Sequence, residues 1–251
     1  MIPLPPQPLP PFLQLLAHEL RWQLVRALSV SDRRVFELVS LVHEPMNLVS
    51  YHLKQLRDQH LVHTRRSEVD GRDIYYSLDL EQLRAMYLAA GAALHPALGH
   101  WEAPSVPHEN LSSGRRVLFV CTHNSARSQM AEGLLRHLSA GRVEVMSAGS
   151  QPSRIHPDTV TTMQQLGIDI EHQAAKPLST FEGLSFDYVI TVCDRAREVC
   201  PVFPGDGQQL HWGLPDPAAI PEAGARVQAF EDTARHLQAR IIYFLHELAS
   251  A

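Results

Sequence analysis

The chain has 251 residues, 45% of them hydrophobic and 20% charged, and a net charge of −5 at pH 7. This composition is typical of a globular protein with one large domain or two ordinary ones, and it excludes a globally basic nucleic-acid binder although it allows a local basic patch. No apolar run approaches the roughly 20 residues of a membrane-spanning helix, so we expect no membrane association. Three cysteines are few and odd in number, which indicates a reducing, cytoplasmic compartment rather than a disulfide scaffold.

The N-terminal part starts with a proline-rich segment and continues as a mainly helical domain. Residues 1–11, MIPLPPQPLPP, predict a flexible or polyproline-like leader. Within residues 12–95, apolar periodicity predicts helices over 12–28, 32–42, 46–59 and 79–94. Residues 61–78 change to strand spacing around Asp70 and Gly71, a pair that favours the tight turn of a β-hairpin.

The order of three helices, a hairpin and a fourth helix is that of a winged helix-turn-helix. NLVSYHLKQLRDQHLV and RRSEVDGRDIYYSL resemble the recognition-helix region and the wing of ArsR-type repressors. The resemblance implies binding of operator DNA by a homodimer, with a helix in the major groove and hairpin arginines on phosphates. The residues expected to contact DNA are Ser50, Tyr51, His52 and Lys54 on the helix and Arg65, Arg66 and Arg72 on the hairpin. The alternative is that these charges form only a solvated surface.

One departure from the resemblance concerns the inducer. Many ArsR-type sensors bind arsenite through a cysteine pair in the helix before the recognition helix, but here that helix, FELVSLVHEP, contains no cysteine. Because As(III) prefers thiolate ligands, this domain is not expected to sense arsenite in that way. The 15 histidines are scattered without ligand spacing, so we predict no metal site.

A linker and a second domain follow. Residues 96–114 contain prolines and polar residues without an amphipathic period, which predicts a linker. Residues 115–251 alternate apolar strands with amphipathic helices: strands over 116–120, 143–149, 186–193 and 208–214, and helices around 130–138, 157–167 and 225–248. This alternation predicts an α/β domain with a doubly wound, four-stranded parallel sheet, whose ligands bind at the carboxyl ends of the strands.

The stretch VLFVCTHNSARSQM places Cys121 at the end of the first of these strands and just before a helix. The amides and the positive dipole end of a helix N-terminus favour an anion, and they favour a thiolate for the same reason. Arg127 adds a planar fork that suits a tetrahedral oxyanion. The spacing Cys-x5-Arg therefore predicts a nucleophile within an oxyanion cradle. The alternative, a buried and inert cysteine, leaves the polar residues that follow unexplained.

THNSARSQMAEG resembles the phosphate-binding loop of low-molecular-weight protein tyrosine phosphatases, and more closely that of the arsenate reductases that share the fold. The resemblance covers about residues 115–250 and implies roles by position. Cys121 would be the nucleophile, Arg127 the oxyanion clamp, and Asp216 in LPDPAA the general acid. The oxyanion loop would comprise Thr122, His123, Asn124, Ser125, Ala126 and Ser128, with Asn124 bracing it and Ser128 hydrogen-bonding the thiolate.

The remaining cysteines favour a reductase over a phosphatase. Cys193 and Cys200 lie in VCDRAREVCP, which resembles the thioredoxin-coupled arsenate reductases, and alanines replace the aromatic residues that phosphatases usually carry after Asp-Pro. The resemblance implies a cascade in which Cys121 forms an adduct with arsenate, Cys193 then pairs with Cys121, and Cys200 finally pairs with Cys193. Thioredoxin would supply the reducing equivalents, so no bound cofactor is expected, and phosphate or sulfate would act as substrate analogues.

Two substitutions within the resemblance carry further expectations. His123 stands where many relatives have glycine, and histidine tolerates a positive φ better than most residues. Lys176 stands where some relatives have an aspartate that helps to bind potassium, so its ammonium group is expected to replace the ion.

The leading hypothesis is thus an ArsR-like DNA-binding domain fused to an arsenate reductase. The alternatives are a low-molecular-weight phosphatase and a repressor whose C-terminal domain only senses an oxyanion or the redox state.

Overall fold

The computed structural model describes residues 8–100, 111 and 114–250. The chain divides into two compact units, Met1–Ala103 and Pro104–Ala251. None of the helices in the described ranges is long and apolar enough to cross a membrane. The predicted leader falls largely on residues 1–7 and most of the predicted linker on residues 101–110, 112 and 113, all of which lie outside the described residues.

The N-terminal unit combines short helices with a small antiparallel sheet. Its elements are α1 (Pro11–Leu16), α2 (Glu19–Val30), β1 (Arg33–Arg34), α3 (Val35–Val42), α4 (Met46–Asp58), β2 (Val62–Arg66), β3 (Ile74–Leu78) and α5 (Leu80–Leu94). The sheet order is β1-β3-β2, and β2 pairs with β3 as the predicted hairpin. A 3₁₀ turn at Pro96–Gly99 follows α5.

The single helix predicted over residues 12–28 is wrong, because the chain forms α1 and α2 with a break between them. The break lies at Ala17 and His18, where His18 adopts extended backbone angles and its Nδ1 accepts a hydrogen bond from the Leu20 amide at 3.2 Å. A side-chain acceptor at this position satisfies an amide that a new helix leaves unpaired. Apolar periodicity alone does not reveal such a restart.

The core of the N-terminal unit lies where the helices meet the hairpin. Its fully buried side chains include Leu24, Leu38, Leu53, Leu56 and Tyr75. These residues come from α2, α3, α4 and β3, so the hairpin is part of the packed unit and not an appendage. Burying a leucine side chain stabilises a fold by about 1.5–3 kcal/mol.

The C-terminal unit is an α/β domain with a four-stranded parallel sheet, as predicted. Its elements are β4 (Arg116–Cys121), α6 (Arg127–Leu138), β5 (Glu144–Gly149), α7 (Pro157–Gln165), β6 (Tyr188–Thr191), α8 (Asp194–Val199), β7 (Gln208–His211) and α9 (Ala223–Ser250). The sheet order is β5-β4-β6-β7, with β4 and β6 in the centre. Short 3₁₀ turns lie at Leu178–Phe181 and Pro217–Ala219.

The register of this sheet brings the ends of its strands together. Cys121 pairs with Gly149 across β4 and β5, and Thr191 pairs with His211 across β6 and β7. Strand β6 is shorter than predicted because the chain turns at Cys193, which caps α8. The carboxyl edge of the sheet therefore collects the residues that the sequence singled out.

Candidate functional site

Cys121 is the last residue of β4, and its thiol lies inside the loop that connects β4 to α6. Its Sγ atom accepts a hydrogen bond from the Asn124 amide at 3.1 Å and lies 2.9 Å from Ser128 Oγ. The residue is 2% exposed. The loop thus gives the sulfur one amide donor and one hydroxyl neighbour.

Asn124 is the hub of this loop. Its Nδ2 donates to Ser128 Oγ at 2.9 Å and to Ser147 Oγ at 2.8 Å, and its Oδ1 accepts from the Lys176 amide at 2.8 Å and from Gln129 Nε2 at 3.0 Å. The side chain is fully buried, so each of these bonds replaces lost water contacts. Removal of the Asn124 side-chain amide would therefore take a hydrogen-bond partner from each of these four groups.

Asn124, and not His123, adopts the left-handed backbone of the loop. Its φ is +48°. The expectation that His123 takes a positive φ is therefore wrong, and its replacement of glycine needs no backbone explanation. Asparagine is among the residues that tolerate this conformation best.

The segment after β5 holds the loop from outside. The Gln151, Ser153 and His156 amides donate to the carbonyls of Thr122, His123 and Ser125 at 2.8, 2.9 and 3.0 Å. Because these loop carbonyls are turned outward, an anion in the loop would meet amide groups instead.

Gly149 lies directly beneath the loop. A Cβ atom at this position would come within 2.7 Å of the Thr122 carbonyl oxygen and 2.9 Å of the Asn124 nitrogen. Only glycine allows so close an approach of the two backbones.

Arg127 and Asp216 face each other across the mouth of the loop. Arg127 is 4% exposed, and its guanidinium donates from Nη1 to the Leu214 carbonyl at 2.8 Å. Its Nη2 lies 3.3 Å from Asp216 Oδ2. Asp216 Oδ1 accepts from the Ala218 amide at 3.2 Å and so caps the following 3₁₀ turn. The structure thus brings together the cysteine, arginine and aspartate that the sequence singled out.

Cys193 lies beside the same loop at the start of α8. Its Sγ is 3.3 Å from Thr122 Oγ1 and accepts from the Ala196 amide at 3.4 Å. Burial raises the pKa of the Cys193 thiol, and the positive Arg127 and the Thr122 hydroxyl partly oppose this effect. Cys200, at the other end of α8, is partly exposed, and burial raises its pKa to about 11. All three thiols are free.

Two buried charge clusters next to the site did not follow from the sequence analysis. Glu132 Oε2 lies 2.5 Å from Ser147 Oγ and 3.4 Å from Lys176 Nζ. Asp194 Oδ1 lies 3.0 Å from His211 Nε2. Neither cluster leaves a local sequence signal, because the partners are far apart in the chain and only the fold brings them together. Within the described ranges, no group of three or more His, Cys, Asp or Glu side chains is arranged to hold a metal ion.

In the N-terminal unit, the predicted DNA-contacting residues of α4 divide between its two faces. Ser50, Tyr51 and Lys54 are exposed, whereas His52 is 4% exposed, so the expectation that His52 reaches DNA is wrong. Position 52 falls on the stripe of Val49, Leu53 and Leu56 that faces the core.

His52 instead packs on another histidine. Its ring centroid lies 4.2 Å from that of His18. Burial, together with the nearby His18 and Arg21, lowers the pKa of His52.

The three hairpin arginines already have partners within the hairpin. The Arg65 guanidinium lies 5.2 Å from the Tyr75 ring centroid, and Arg66 Nη1 donates to the Gly71 carbonyl at 2.8 Å. Arg72 hydrogen-bonds Asp70 at 2.8 Å and lowers the pKa of that carboxyl to about 2. A phosphate contact by Arg72 would have to compete with this exposed ion pair, which contributes little in water.

Comparison with known proteins places the C-terminal unit. Residues 116–251 match the low molecular weight phosphotyrosine protein phosphatase family. An arsenate reductase of Shouchella clausii is 35% identical over 136 residues, which cover 48% of this chain and 98% of the relative. A glutaredoxin arsenate reductase of Synechocystis is 39% identical over 103 residues, covering 41% of this chain and 79% of the relative.

Two solved structures are also similar to the C-terminal half of this chain. An arsenate reductase in the oxidized state is 30% identical, with a TM-score of 0.48, and covers 53% of this chain and 98% of the other. An arsenate reductase in the phosphate-binding state is 32% identical, with a TM-score of 0.44 and the same coverage. The family match does not include residues 1–115.

Proposed function

The chain belongs to the low molecular weight phosphotyrosine protein phosphatase family, its C-terminal half is an enzyme of the arsenate reductase type, and we propose that it reduces arsenate to arsenite through a relay of three thiols. The observation that carries this proposal is the approach of a second buried thiol, Cys193, to the loop that holds Cys121, with Thr122 between them. A phosphatase of this fold would need only Cys121, Arg127 and Asp216.

The first step uses the oxyanion loop. Arsenate binds against the loop amides and the Arg127 guanidinium, as phosphate or sulfate would. The Cys121 thiolate attacks arsenic, an S–As bond forms and an As–O bond breaks. Asp216, 3.3 Å from Arg127, gives its proton to the departing oxygen, which leaves as water.

The second and third steps move the oxidation onto the protein. The Cys193 thiolate attacks Cys121 Sγ, so that an S–S bond forms and the S–As bond breaks. Its electron pair stays on arsenic, which leaves as arsenite, As(III). The Cys200 thiolate then attacks Cys193 Sγ and releases the Cys121 thiolate, and a dithiol protein of the thioredoxin type reduces the final disulfide.

The test is thioredoxin-coupled NADPH oxidation with arsenate in the full chain. We expect Cys121→Ser and Cys193→Ser to release no arsenite. Cys200→Ser should release one arsenite per protein and then stop with Cys121 joined to Cys193, which peptide mapping can identify. Continuous turnover by Cys200→Ser would contradict the relay. Turnover only with a glutathione–glutaredoxin system would keep the relay but replace the reductant, a result in keeping with the name of the Synechocystis relative.

Two features favour a reductase over a phosphatase or a domain that only senses an oxyanion. The residues after Asp216-Pro217 are Ala218 and Ala219, which provide no aromatic wall for a phosphotyrosine ring. A domain that only sensed an oxyanion would not need Asp216 beside Arg127. Hydrolysis of an aryl phosphate at a rate well above arsenate reduction would favour the phosphatase.

For the N-terminal unit we propose a winged-helix domain of the ArsR type that binds operator DNA as a homodimer and regulates transcription in the cytoplasm. Support comes from the order of α3, α4 and the β2–β3 hairpin and from the exposed Ser50, Tyr51 and Lys54 on α4. Selection from random-sequence DNA duplexes tests the binding, and gel filtration at micromolar concentration tests the dimer. Failure to enrich any sequence would contradict DNA binding. A monomer in gel filtration would contradict the homodimer.

A further inference from the structure

A buried acid–histidine pair joins α8 to the neighbouring strand. Asp194 is the first residue of α8, directly after Cys193, and its side chain has no exposed surface. His211 is the last residue of β7 and is 2% exposed. The contact between Asp194 Oδ1 and His211 Nε2 measures 3.0 Å.

The other side of the histidine ring is held as well. His211 Nδ1 lies 2.9 Å from Thr191 Oγ1, which also lies 3.2 Å from the Leu210 carbonyl oxygen. Thr191 ends β6 as His211 ends β7, and the two residues are paired in the sheet. The position of the ring is therefore set by the rigid part of the domain, and Asp194 is fixed to it. Hydrogen bonds to charged groups stabilise more than neutral ones, and leaving one partner unpaired in the interior is costly.

The pair bears on Cys193 because the two residues are adjacent in sequence at the helix start. While Asp194 is held, the Cys193 thiol caps α8 and lies 3.3 Å from Thr122 Oγ1 beside the oxyanion loop. Pairing with Cys200, however, requires a different geometry. Seven residues of helix span about 10.5 Å, whereas a disulfide needs Cα atoms within about 7 Å. Helix α8 has to uncoil, and its anchored first residue resists this.

We propose that Asp194 and His211 form a latch that times the relay: closed, it positions Cys193 for the first disulfide, and it has to open before Cys200 can form the second. The role of the latch in arsenate reduction rests on the proposed function. Its effect on the uncoiling of α8 does not depend on that function. Asp194 and His211 act through Cys193 as positioning residues. Breaking the latch should therefore change the two thiol transfers in opposite directions.

The second transfer closes the Cys193–Cys200 bond, and this closure can be measured without arsenate in an assay that exchanges the attacking and the attacked sulfur. In a Cys121→Ser background, a small aromatic disulfide forms a mixed disulfide with Cys200 and releases one coloured thiolate. Attack of the Cys193 thiolate on Cys200 Sγ then forms the Cys193–Cys200 bond and releases the second coloured thiolate. We expect Asp194→Asn, which reduces the anchor to a neutral hydrogen bond, and His211→Leu, which removes it, to speed this second release by on the order of tenfold. Asp187→Asn is the matched control, because it removes a carboxylate paired with Arg115 at the opposite end of β6.

The first transfer is measured in a Cys200→Ser background as the single release of arsenite. Here we expect Asp194→Asn and His211→Leu to be about tenfold slower than the parent, with Asp187→Asn unchanged. Slower first and faster second transfer together support the latch, because general loosening of the domain would change both rates in the same direction. Equal closure rates in the parent and both latch variants, or equal acceleration in Asp187→Asn, would overturn it.

The two hypotheses fail separately. If the Cys200→Ser parent releases no arsenite, the proposed function is wrong, and the closure of Cys193 on Cys200 alone decides the latch. If one latch variant does not fold, the other gives the same comparison.

Discussion

Thr122 Oγ1 lies 3.3 Å from Cys193 Sγ, although the two residues are 71 positions apart. Thr122 is the first residue of the oxyanion loop, so this contact joins the loop of one thiol directly to another thiol. Burial raises the pKa of Cys193, and the Thr122 hydroxyl is one of the groups that oppose this effect. The hydroxyl therefore helps the second thiol to become a nucleophile.

Replacement of this hydroxyl should slow the first thiol transfer. Thr122→Val keeps the shape of the side chain, and the loss of one hydrogen bond of about 1 kcal/mol predicts roughly fivefold slower arsenite release in the Cys200→Ser background. Thr122→Ser keeps the hydroxyl and serves as the control. If valine and serine behave alike, the hydroxyl plays no part in the transfer.

Helix α8 should lose protection when the Cys193–Cys200 disulfide forms. The two cysteines flank a helix of six residues, and its length is incompatible with the bond. We expect amide exchange of residues 193–200 to be faster in the oxidised protein, while exchange in α6 stays the same. Equal protection of α8 in both states would contradict the uncoiling.

The reactivity of Cys200 should rise with pH over an unusually wide range. Burial raises its pKa to about 11, so roughly one thiol in a thousand is ionised at pH 8. In a Cys121→Ser/Cys193→Ser variant, the rate of alkylation should still increase between pH 9.5 and 10.5. A simple aliphatic thiol with a pKa of about 8.5 levels off in that interval and provides the reference. A plateau below pH 9.5 would show that the pKa of Cys200 is not raised in this way.

Turnover should not depend on potassium. Lys176 Nζ lies 3.4 Å from Glu132 Oε2 and 3.1 Å from the Ala174 carbonyl oxygen, so a fixed ammonium group already serves the buried carboxylate. These residues do not suit a bound cation, because the lysine charge would repel it. We expect equal rates in potassium and sodium at equal ionic strength. A marked increase in potassium would refute this, and Lys176→Asp should create such an increase.

One lysine of α4 should carry a measurable part of any DNA affinity. Lys54→Ala should weaken binding to the selected duplexes and reduce the salt dependence of affinity by about one ion. Arg142→Ala, which removes an exposed positive charge from the C-terminal unit, is the matched control. If both variants lose affinity equally, net charge and not α4 accounts for the binding.

The comparison of sequence and structure shows which kinds of information a sequence carries. Cys121, Asn124, Arg127 and Ser128 could be recognised because they lie in one strand, loop and helix, where spacing along the chain determines spacing in the fold. The four-stranded parallel sheet followed from apolar runs alone. The pairing of Asp194 with His211 could not be predicted, because it depends on how β6 and β7 are aligned.

The burial of His52 follows from its position on the helix. A helix shows a new face every residue, so an error of one position in phase moves a side chain from the surface to the core. The resemblance to a recognition helix suggested that His52 is exposed, while the neighbours Leu53 and Leu56 placed the residue inward. The apolar period of the helix was the stronger of the two signals.

The closeness of Gly149 to the oxyanion loop bears on how such proteins diverge. A descendant that kept every thiol, Arg127 and Asp216 but gained an alanine at 149 would retain all the reactive groups while its cradle was pushed apart. The presence of the three cysteines would then not be enough to identify an active enzyme. A working oxyanion loop therefore needs the glycine at 149 as well as the nucleophile.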